Sequence, residues 1–341
     1  MSFALALHRD WLADRLVIGQ PDLVSLIRIL DKGRLLEDAR AVGLDVPDTW
    51  LPHCDDDVDR AAREADGPLV VKPRTQVLLT THGKGTILNG AASDIRAAYS
   101  RFRRLNPYGL ALSSRFPEAT WPMLQRYHPR ATDGIYSLTG FRDSSGERFA
   151  VLAATKVLQR PPKLGIGLCF EEAPVDAALA AGVRRLCERV GYFGIFEAEF
   201  IREADRSLLI DLNGRLYNQV AFDVARGLPL PLLAYSSELN RPDEVARLLQ
   251  GSNDAGDSGG PRGFCNRFGL EVLLGAKRLT GTMSQSDAAR WRSWCHDREG
   301  RMVDAVADWD DPRPFAFDVA AQVYDSLRHP ISFVRKIALD G

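Results

Sequence analysis

The sequence has 341 residues, of which 45% are hydrophobic and 26% are charged, and its formal net charge is -1. These values are those of a globular protein, and they exclude a chain that stays unfolded for lack of apolar residues. A net charge near zero argues against a general polyanion-binding surface, so no nucleic-acid partner is predicted. The length exceeds one ordinary domain, which predicts two or three subdomains.

The cysteines and the hydropathy indicate the compartment. The five cysteines form no CxxC pair, as expected for reduced thiols in a cytosol rather than for a disulfide frame or a zinc site. No apolar run approaches membrane-spanning length, and the N-terminus lacks the pattern of a signal peptide. We therefore expect a soluble, cytoplasmic protein without a membrane partner.

The first clear helix begins at Asp31-Lys32 and ends at Gly43, with apolar residues at helical spacing between them. Residues 1–31 carry only short apolar runs, too few for a full βαβ nucleotide-binding domain. A short strand and an acidic helix over residues 55–66 come next. Acidic residues in the first turn of that helix suit the helix dipole.

A β-branched strand then ends at Lys72, and a predicted hairpin over residues 75–90 has a polar tip at His82–Gly85. Glycine on either side of Lys84 lets backbone amides approach an anion while the ammonium group neutralises it. The named phosphate motifs are absent, because the tip lacks the upstream glycine of a Walker A loop and the later Gly-Ile-Gly lacks a third glycine. A simple turn is the alternative interpretation.

The middle of the chain is predicted to contain a strand over Trp121–Tyr127 and a strand pair over residues 133–157 that turns at Asp143–Gly146. Lys156 lies late in the second strand of that pair. A loop rich in proline, glycine and cations follows, and then an amphipathic helix over Val175–Val190.

The clearest pattern lies in Gly194–Gln219, where residues alternate with period 2 on both sides of a polar break, as in a β-hairpin. With the turn centred in the break, Glu199 lies opposite Asp211. Glu197 then lies opposite Asn213, and all four side chains point to one face, because strand side chains alternate sides. An ordinary hairpin with a wet acidic face is one interpretation.

A metal site is the other interpretation of this hairpin. Like charges directly across a hairpin are destabilising unless a cation lies between them. Carboxylates with an asparagine carbonyl are oxygen ligands that suit Mg²⁺, which takes its remaining ligands from water and phosphates. Without a metal the carboxylates are expected to repel, so we expect Asp211→Asn to leave the fold no less stable.

Two predicted helices have serine caps, Ser93 for a helix over residues 92–104 and Ser284 for a helix that ends at Glu299. After Leu228 the pattern becomes mostly helical. The glycine-rich segment over residues 251–263 is predicted to be a flexible loop, and a last helix is predicted over Phe315–Leu327.

Six landmarks in this order resemble the ATP-grasp superfamily. They are Asp-Lys before a helix, Val-Val-Lys-Pro, the glycine-bearing hairpin, Leu-Gln-Arg-Tyr, Gly-Tyr-Phe-Gly-Ile-Phe-Glu-Ala-Glu-Phe and Ile-Asp-Leu-Asn-Gly-Arg. The likeness covers about residues 31–225 and is nearest to predicted carboxylate–amine ligases similar to D-aspartate ligases. It implies an α+β ATP-grasp fold, in which two α+β subdomains hold Mg-ATP between them, and activation of a carboxylate as an acyl-phosphate.

The resemblance also implies site residues by position. The lysines that reach the nucleotide phosphates are Lys32 and Lys72. The loop that closes over the phosphates comprises His82, Gly83, Lys84, Gly85 and Thr86. The adenine and ribose contacts are Gln125, Arg126, Tyr127 and Asp133. The metal ligands, for Mg²⁺ with Mn²⁺ as an alternative ion, are Glu199, Asp211 and Asn213. The cations at the transferred phosphate are Arg215, Lys156 and Arg160.

The implied domains are a reduced N-terminal segment with the first helix (1–67), a small lid subdomain (68–120), a large subdomain with the metal site (121–235) and a helical C-terminal region (240–341). The chain departs from the family pattern in three ways. Asp211 stands where a glutamate is usual, Gly214 stands where proline is common, and the domain before the Asp-Lys helix is reduced to residues 1–31. The helical C-terminal region, a second copy in a homodimer or a separate partner subunit is expected to replace that domain.

The leading hypothesis is an ATP-dependent carbon–nitrogen ligase that joins a small-molecule carboxylate to an amine and releases ADP and phosphate. Such chemistry needs positioning and charge neutralisation more than a nucleophilic side chain. Two alternatives remain at this point. One is an ATP-grasp kinase that phosphorylates a hydroxyl group, and the other is a nucleotide-binding regulator without turnover.

Overall fold

The computed structural model describes residues 2–77, 85–132, 134–160, 165–254 and 262–330. In this part of the chain the helices and strands alternate in an α+β arrangement. None of the described helices combines the length and the apolar character required to cross a bilayer.

The helices are α1 (Ser2–Leu7), α2 (Arg9–Leu12), α3 (Leu23–Leu30), α4 (Lys32–Ala41), α5 (Asp55–Glu64), α6 (Ala92–Leu105), α7 (Leu110–Ser113), α8 (Ala177–Val190), α9 (Val220–Ala225), α10 (Leu230–Glu238), α11 (Pro242–Asp254), α12 (Arg267–Leu279), α13 (Gln285–His296) and α14 (Arg313–Arg328).

The strands are β1 (Thr49–Trp50), β2 (Leu69–Lys72), β3 (Thr86–Leu88), β4 (Met123–Arg126), β5 (Ile135–Arg142), β6 (Phe149–Arg160), β7 (Ile166–Ala173), β8 (Gly194–Arg202), β9 (Ser207–Asn213), β10 (Gly263–Cys265) and β11 (Met302–Asp304). Within the described residues they form a small sheet of order β1-β4-β2-β3 and a large sheet of order β11-β10-β7-β6-β5-β8-β9.

One face of the large sheet is apolar, whereas the other carries polar side chains together with apolar ones such as Phe141 and Ile195, which pack against α10 and α11. Tyr136, Leu138 and Phe200 point into a core that α3, α4 and α8 cover. Residues of the opposite parity point to the other face, because side chains alternate along a strand. The sequence of α8 explains where this helix begins and ends. Asp176 caps its first turn, and Gly191 ends it with a left-handed φ of 70° that glycine adopts without strain.

The small sheet packs its apolar side chains against α5 and α6. In this sheet β2 is central, with β3 on one side and β4 on the other, both antiparallel. The predicted strand that ends at Lys72 is therefore confirmed, and so is the strand at Gln125. Most of the first half of the predicted hairpin over residues 75–90 lies outside the described residues, and Thr86 pairs with Val71 of β2.

The hairpin prediction for β8 and β9 is confirmed in its register. Glu199 lies opposite Asp211 and Glu197 opposite Asn213, with an irregularity between Glu199 and Phe200 that the alternation did not reveal. The pair β5–β6 with its turn after Arg142 is also as predicted. The strand β7 was missed, because its proline- and glycine-rich approach was assigned to a loop.

The region after residue 240 contains two strands as well as helices. Strand β10 pairs with β7, and β11 pairs with β10, so this region extends the large sheet. Residues 251–254 continue α11, where a loop was predicted. Ser284 caps α13 as predicted, but Ser93 lies inside α6, whose cap position is Ala91. The division of the chain into four parts stays a prediction.

Candidate functional site

The face of the large sheet that points away from α3, α4 and α8 carries a group of acidic and amide side chains that we call the acidic hairpin: Glu197 and Glu199 of β8, and Asp211 and Asn213 of β9. The antiparallel register alone brings them together, since the two strands face each other pair by pair. Residues two apart on a strand share a face. The hairpin therefore concentrates three carboxyl groups and one amide in a small area.

Two lysines neutralise the acidic hairpin. The ammonium group of Lys32, the first residue of α4, forms an ion pair with Asp211. The ammonium group of Lys156 lies 2.5 Å from Oε1 of Glu199. Burial lowers the pKa of Lys156, but the attraction and the hydrogen bond of Glu199, together with the attraction of Glu197 and Asp211, outweigh burial and raise the pKa overall. The expectation of two unscreened carboxylates in the absence of metal is therefore wrong, because the chain supplies its own cations.

Glu197 is the deepest member of the acidic hairpin, with 6% of its surface exposed. Its carboxylate accepts hydrogen bonds from Ser137 Oγ at 3.2 Å, Asn213 Nδ2 at 3.1 Å and Gln219 Nε2 at 2.5 Å. Burial, and then repulsion by Glu199, raises the pKa of Glu197 to about 7. The alternation placed Glu197 on this face but indicated no role for it. In the structure, its carboxylate holds the side chain of Asn213 in place, which the alternation did not reveal.

Lys72 ends β2 and, with Lys32, forms what we call the cationic side of the site. Its ammonium group donates to Gln125 Oε1 at 3.0 Å, and Gln125 in turn donates to Thr49 Oγ1 at 3.0 Å. Burial and then repulsion by Lys32 lower the pKa of Lys72 to about 8, against the attraction of Asp211 and Glu199. The charge of Lys72 is therefore repelled by Lys32 and attracted by Asp211, the carboxylate that Lys32 contacts.

A buried ion pair that the sequence analysis missed joins the two lysine-bearing elements. Arg74 donates from Nε at 2.9 Å and from Nη2 at 2.6 Å to the carboxylate of Asp31. Both side chains are almost fully buried. Asp31 also caps α4 by accepting from Gly33 N at 2.9 Å, and the carbonyl of Arg74 accepts from Lys32 N at 2.8 Å. The start of α4 is thus fixed to the end of β2.

The close fit at this junction explains Gly33. A Cβ atom built at that position would lie 2.8 Å from Nη2 of Arg74, closer than real contacts allow. The absence of a side chain at Gly33 leaves the room that the guanidinium group of Arg74 occupies beside Asp31. Since Asp-Lys-Gly and Lys-Pro-Arg are separated by some forty residues, the sequence pattern contained no sign that they meet.

The end of β4, predicted at adenine, is held by backbone contacts. The N–H of Arg126 donates to Asp48 O and that of Tyr127 to Pro68 O, both at 2.9 Å. The guanidinium Nε of Arg126 lies 3.3 Å from Asp48 Oδ2, so this side chain turns towards the neighbouring segment. Both N–H groups are therefore engaged within the protein.

The three cations predicted at the transferred phosphate occupy different positions. Lys156 contacts Glu199, as described above. Arg215 is exposed and donates from Nη1 to Leu216 O at 2.9 Å and from Nη2 to Asn213 Oδ1 at 3.5 Å. Arg160 ends β6 and is half-buried, and burial lowers the pKa of its guanidinium. Among the described residues Arg160 contacts neither the acidic hairpin nor Lys156.

Four of the predicted site residues, His82, Gly83, Lys84 and Asp133, lie outside the described residues. Of the same predicted loop, Thr86 opens β3 and Gly85 precedes it. The predicted phosphate loop and the predicted ribose contact therefore stay predictions.

The donor set fits a magnesium ion that shares its coordination with other ligands. In the described ranges there is no group of three histidine, cysteine, aspartate or glutamate residues spaced to enclose a metal. Asn213 directs its Nδ2 to Glu197 and thereby turns its carbonyl oxygen away from that carboxylate. Two carboxylates and one amide oxygen suit Mg²⁺, which binds through few protein ligands and completes its shell with water and phosphate oxygens.

The two sheets, with Lys32 and Lys72 facing the acidic hairpin, correspond to the ATP-grasp fold. Two of the similar solved structures are the biotin carboxylase–β-γ-ATP complex from Campylobacter jejuni (TM-score 0.57) and the biotin carboxylase domain dimer of Hydrogenobacter thermophilus 2-oxoglutarate carboxylase with MgADP and bicarbonate (TM-score 0.56). Each is 14% identical to this chain and matches over 70% of it.

The match covers 52% and 51% of those two chains, so this protein spans about half the length of the structures that it resembles. At this identity the likeness shows the fold, and the predicted fold class is confirmed. No protein-family model and no curated protein matches the sequence. The nearer likeness to D-aspartate ligases stays a prediction.

Proposed function

We propose that the protein is an ATP-dependent ligase that activates a carboxylate as an acyl-phosphate and joins it to an amine. ATP loses its γ-phosphoryl group to the carboxylate oxygen, the amine nitrogen displaces phosphate at the acyl carbon, and ADP and phosphate leave. The observation that carries this proposal is the pairing of Lys32 and Lys156 with the carboxylates of the acidic hairpin. Interleaved cations and hard oxygen ligands are what phosphoryl transfer requires.

Glu199, Asp211 and Asn213 would hold Mg²⁺, or Mn²⁺ as an alternative ion. The bound ion would supply charge neutralisation for the phosphate oxygens. Glu197 would keep the side chain of Asn213 in place through the hydrogen bond from Nδ2. In the same proposal, Lys32 and Lys72 bind phosphate oxygens, together with the loop that includes Gly85 and Thr86.

Arg215 would face the carboxylate substrate. It is exposed and lies beside Asn213, so its guanidinium could leave Asn213 and pair with the substrate carboxylate and then with the acyl-phosphate. Lys156 and Arg160, on the same strand, are assigned as further cations for this charge. Arg160 in particular has a half-buried charge, which a bound anion would stabilise.

Adenine would bind at the end of β4. Because the N–H groups of Arg126 and Tyr127 are engaged, this segment would offer carbonyl oxygens to the base. Adenine carries an amino group at the position where guanine carries an oxygen. A carbonyl therefore accepts a hydrogen bond from adenine and repels guanine.

This selectivity can be measured by thermal unfolding. ATP with Mg²⁺ is expected to raise the melting temperature, because a ligand that binds only the folded state stabilises it. GTP at the same concentration is expected to raise it much less. Equal shifts with both nucleotides would contradict the placement of the base at Gln125–Tyr127.

For the whole protein we propose a cytoplasmic enzyme that uses a small-molecule carboxylate and an amine. The identities of the carboxylate and of the amine are what the ADP-release experiment below determines. The large subdomain over residues 121–235 would carry the metal and the small subdomain over residues 68–120 would close over the phosphates. A homodimer or a complex with a partner subunit is part of the same proposal.

The decisive experiment is a measurement of ADP release with Mg-ATP and panels of carboxylic acids, each with and without an amine. The ligase hypothesis predicts ADP only when an acid is present and an amide when the amine is added. ADP release with a hydroxyl compound alone would indicate a kinase. Nucleotide binding without ADP release across all panels would indicate a regulator.

A further inference from the structure

The ion pairs of the acidic hairpin raise a question about how metal enters the site. Lys32 contacts Asp211 Oδ1, and Lys156 contacts Glu199 Oε1. All four side chains are at most 16% exposed. The carboxylate oxygens that would ligate a metal are thus paired with ammonium groups inside a site that water screens poorly.

A free metal ion would have to displace at least one of these ammonium groups. Each displaced ammonium group would lose a charge-assisted hydrogen bond in a mostly buried position. The free energy of such a hydrogen bond is large enough that its loss would weaken metal binding by about ten- to a hundredfold. The acidic hairpin alone is therefore a poor site for a free divalent cation, although its oxygen atoms are suitable ligands.

A nucleotide changes this balance because it offers Lys32 a new partner. Lys32 stands at the first turn of α4, on a flexible four-carbon chain, near the end of β2. Phosphate oxygens between the two sheets would accept its ammonium group as it leaves Asp211. The vacated carboxylate of Asp211 would then be available to hold a metal ion, and Lys32 would keep an anionic partner in the phosphate.

The chemistry of the pairs supports such an exchange. The structural ion pair of Arg74 with Asp31 is bidentate, with contacts of 2.9 and 2.6 Å in a fixed fork. The pairs at the acidic hairpin use lysine, a point charge with a single contact on each carboxylate. A single contact from a flexible side chain exchanges partners more easily than a planar fork does.

We propose that Lys32 and Lys156 act as internal counter-cations that exclude free divalent metal from Asp211 and Glu199, and that nucleotide binding admits the metal by drawing Lys32 onto its phosphates. This inference rests on the proposed function. It makes metal and nucleotide binding strongly cooperative, with each raising the affinity of the other by the same factor.

The test measures Mn²⁺ binding by electron paramagnetic resonance, with and without a non-hydrolysable ATP analogue. In the wild type, Mn²⁺ should bind at least about tenfold more tightly when the analogue is present. Lys32→Met should bind Mn²⁺ alone about tenfold more tightly than the wild type does. The same variant should bind the Mn²⁺–analogue complex more weakly, because a phosphate contact is lost.

Lys277→Met is the matched control. Lys277 lies on α12 and makes no ion pair among the described residues, so its removal changes the total charge equally and should leave both affinities unchanged. If Lys32→Met does not fold, Lys32→Gln replaces it, and the cooperativity of the wild type is a second, independent readout.

Opposite changes in the two affinities of the Lys32 variant would support the inference. Wild-type protein that binds Mn²⁺ equally well with and without the analogue would overturn it, and so would a Lys32 variant with unchanged affinity for free Mn²⁺. In either case binding of the Mn²⁺–analogue complex would leave the proposed function standing. Failure of the wild type to bind that complex at all would overturn both.

Discussion

The acidic hairpin and the cationic side of the site are held in place by different means. Glu199 and Asp211 face each other because two adjacent strands are in register, and a single turn connects those strands. Lys32 and Lys72 lie at the ends of a helix and a strand that are forty residues apart in sequence. They are brought together by the buried pair of Asp31 and Arg74.

The acidic hairpin and the cationic side therefore differ in how far their side chains can move. A strand ladder fixes the position of each carboxylate through backbone hydrogen bonds, so the acidic hairpin is a rigid platform. The two lysines project from element ends on long side chains, which can change partner without moving the backbone. A site that must hold a metal in one geometry and follow a moving phosphoryl group benefits from both properties.

Asp211→Asn attacks the acidic hairpin and should have the largest effect. It removes the charge of a proposed metal ligand, so turnover should fall about 1,000-fold, or about 4 kcal/mol of transition-state stabilisation. Asp211→Glu should retain measurable activity, because glutamate is usual at this position in the family that the sequence resembles. Both are checked by ADP formation with the cognate substrates.

Asp205→Asn is the control for that experiment. Asp205 lies at the exposed turn of the same hairpin, and its replacement should leave turnover unchanged. The Asp211 variant also loses the ion pair with Lys32, so it is expected to be slightly less stable than the wild type. Full activity in Asp211→Asn would refute the metal-site hypothesis.

Arg74→Met attacks the support of the cationic side. It leaves the buried carboxylate of Asp31 with only the N–H of Gly33 and the distant Nε of Arg34 at 3.7 Å, which should lower the free energy of unfolding by about 3 kcal/mol. Urea unfolding measures the loss. The double variant Asp31→Asn/Arg74→Met should recover part of the stability, because the buried charge that lost its bidentate partner is gone.

Arg28→Met is the matched control for Arg74→Met. Arg28 is about one-third exposed, and its partner Asp38 keeps a contact of 2.9 Å with Arg189. The loss should therefore be about 1 kcal/mol or less. Equal losses in the two variants would mean that the Asp31–Arg74 pair contributes no more than an ordinary surface pair.

The same contrast explains how much of the site the sequence could predict. Alternation along Gly194–Gln219 determines which side chains share a face, so the register of Glu199 with Asp211 follows from the sequence alone. The lysine partners of those carboxylates come from α4 and β6, and nothing in local periodicity encodes contacts between distant elements. The prediction of repelling carboxylates failed for that reason.

Other misses have similar causes. The pair of Asp31 and Arg74 depends on tertiary contact and on the absence of a side chain at Gly33. Strand β7 was hidden by the prolines and glycines before it, and its pairing with β10 comes from a region predicted to be a helical appendage. The order of landmarks predicted the fold, whereas the contacts that tune the charges arise between elements that are distant in sequence.

Lys72→Arg tests the cationic side through pH. Because the pKa of Lys72 is lowered to about 8, its ammonium group loses its proton as the pH rises through 8. The affinity of the protein for the phosphates of the nucleotide should then fall by up to about tenfold per pH unit. Arginine stays charged throughout this range. Titration of the ATP analogue between pH 7 and 9 should show a decline in the wild type and a much flatter profile in Lys72→Arg. Parallel profiles would exclude Lys72 from the phosphate site.

Ser137→Ala makes the smallest change to the acidic hairpin. Ser137 is fully buried and donates to Glu197 Oε1, while Asn213 and Gln219 continue to donate to this carboxylate in the variant. The pKa of Glu197 in the folded state, about 7, lies above its ordinary value of 4.5. Between these two pH values the folded state therefore binds more protons than the unfolded state, and its stability falls as the pH rises. At pH 5 the carboxyl is protonated and the lost hydrogen bond should cost about 0.5 kcal/mol, whereas at pH 8 it is ionised and the loss should reach about 1.5 kcal/mol.

Thr139→Val is the control, because Thr139 Oγ1 donates at 3.3 Å to the neutral carbonyl of Leu152. Urea unfolding at both pH values should show a loss of stability that depends on pH for Ser137→Ala and one that does not for Thr139→Val. A loss of stability independent of pH in both variants would mean that Glu197 does not ionise in this range.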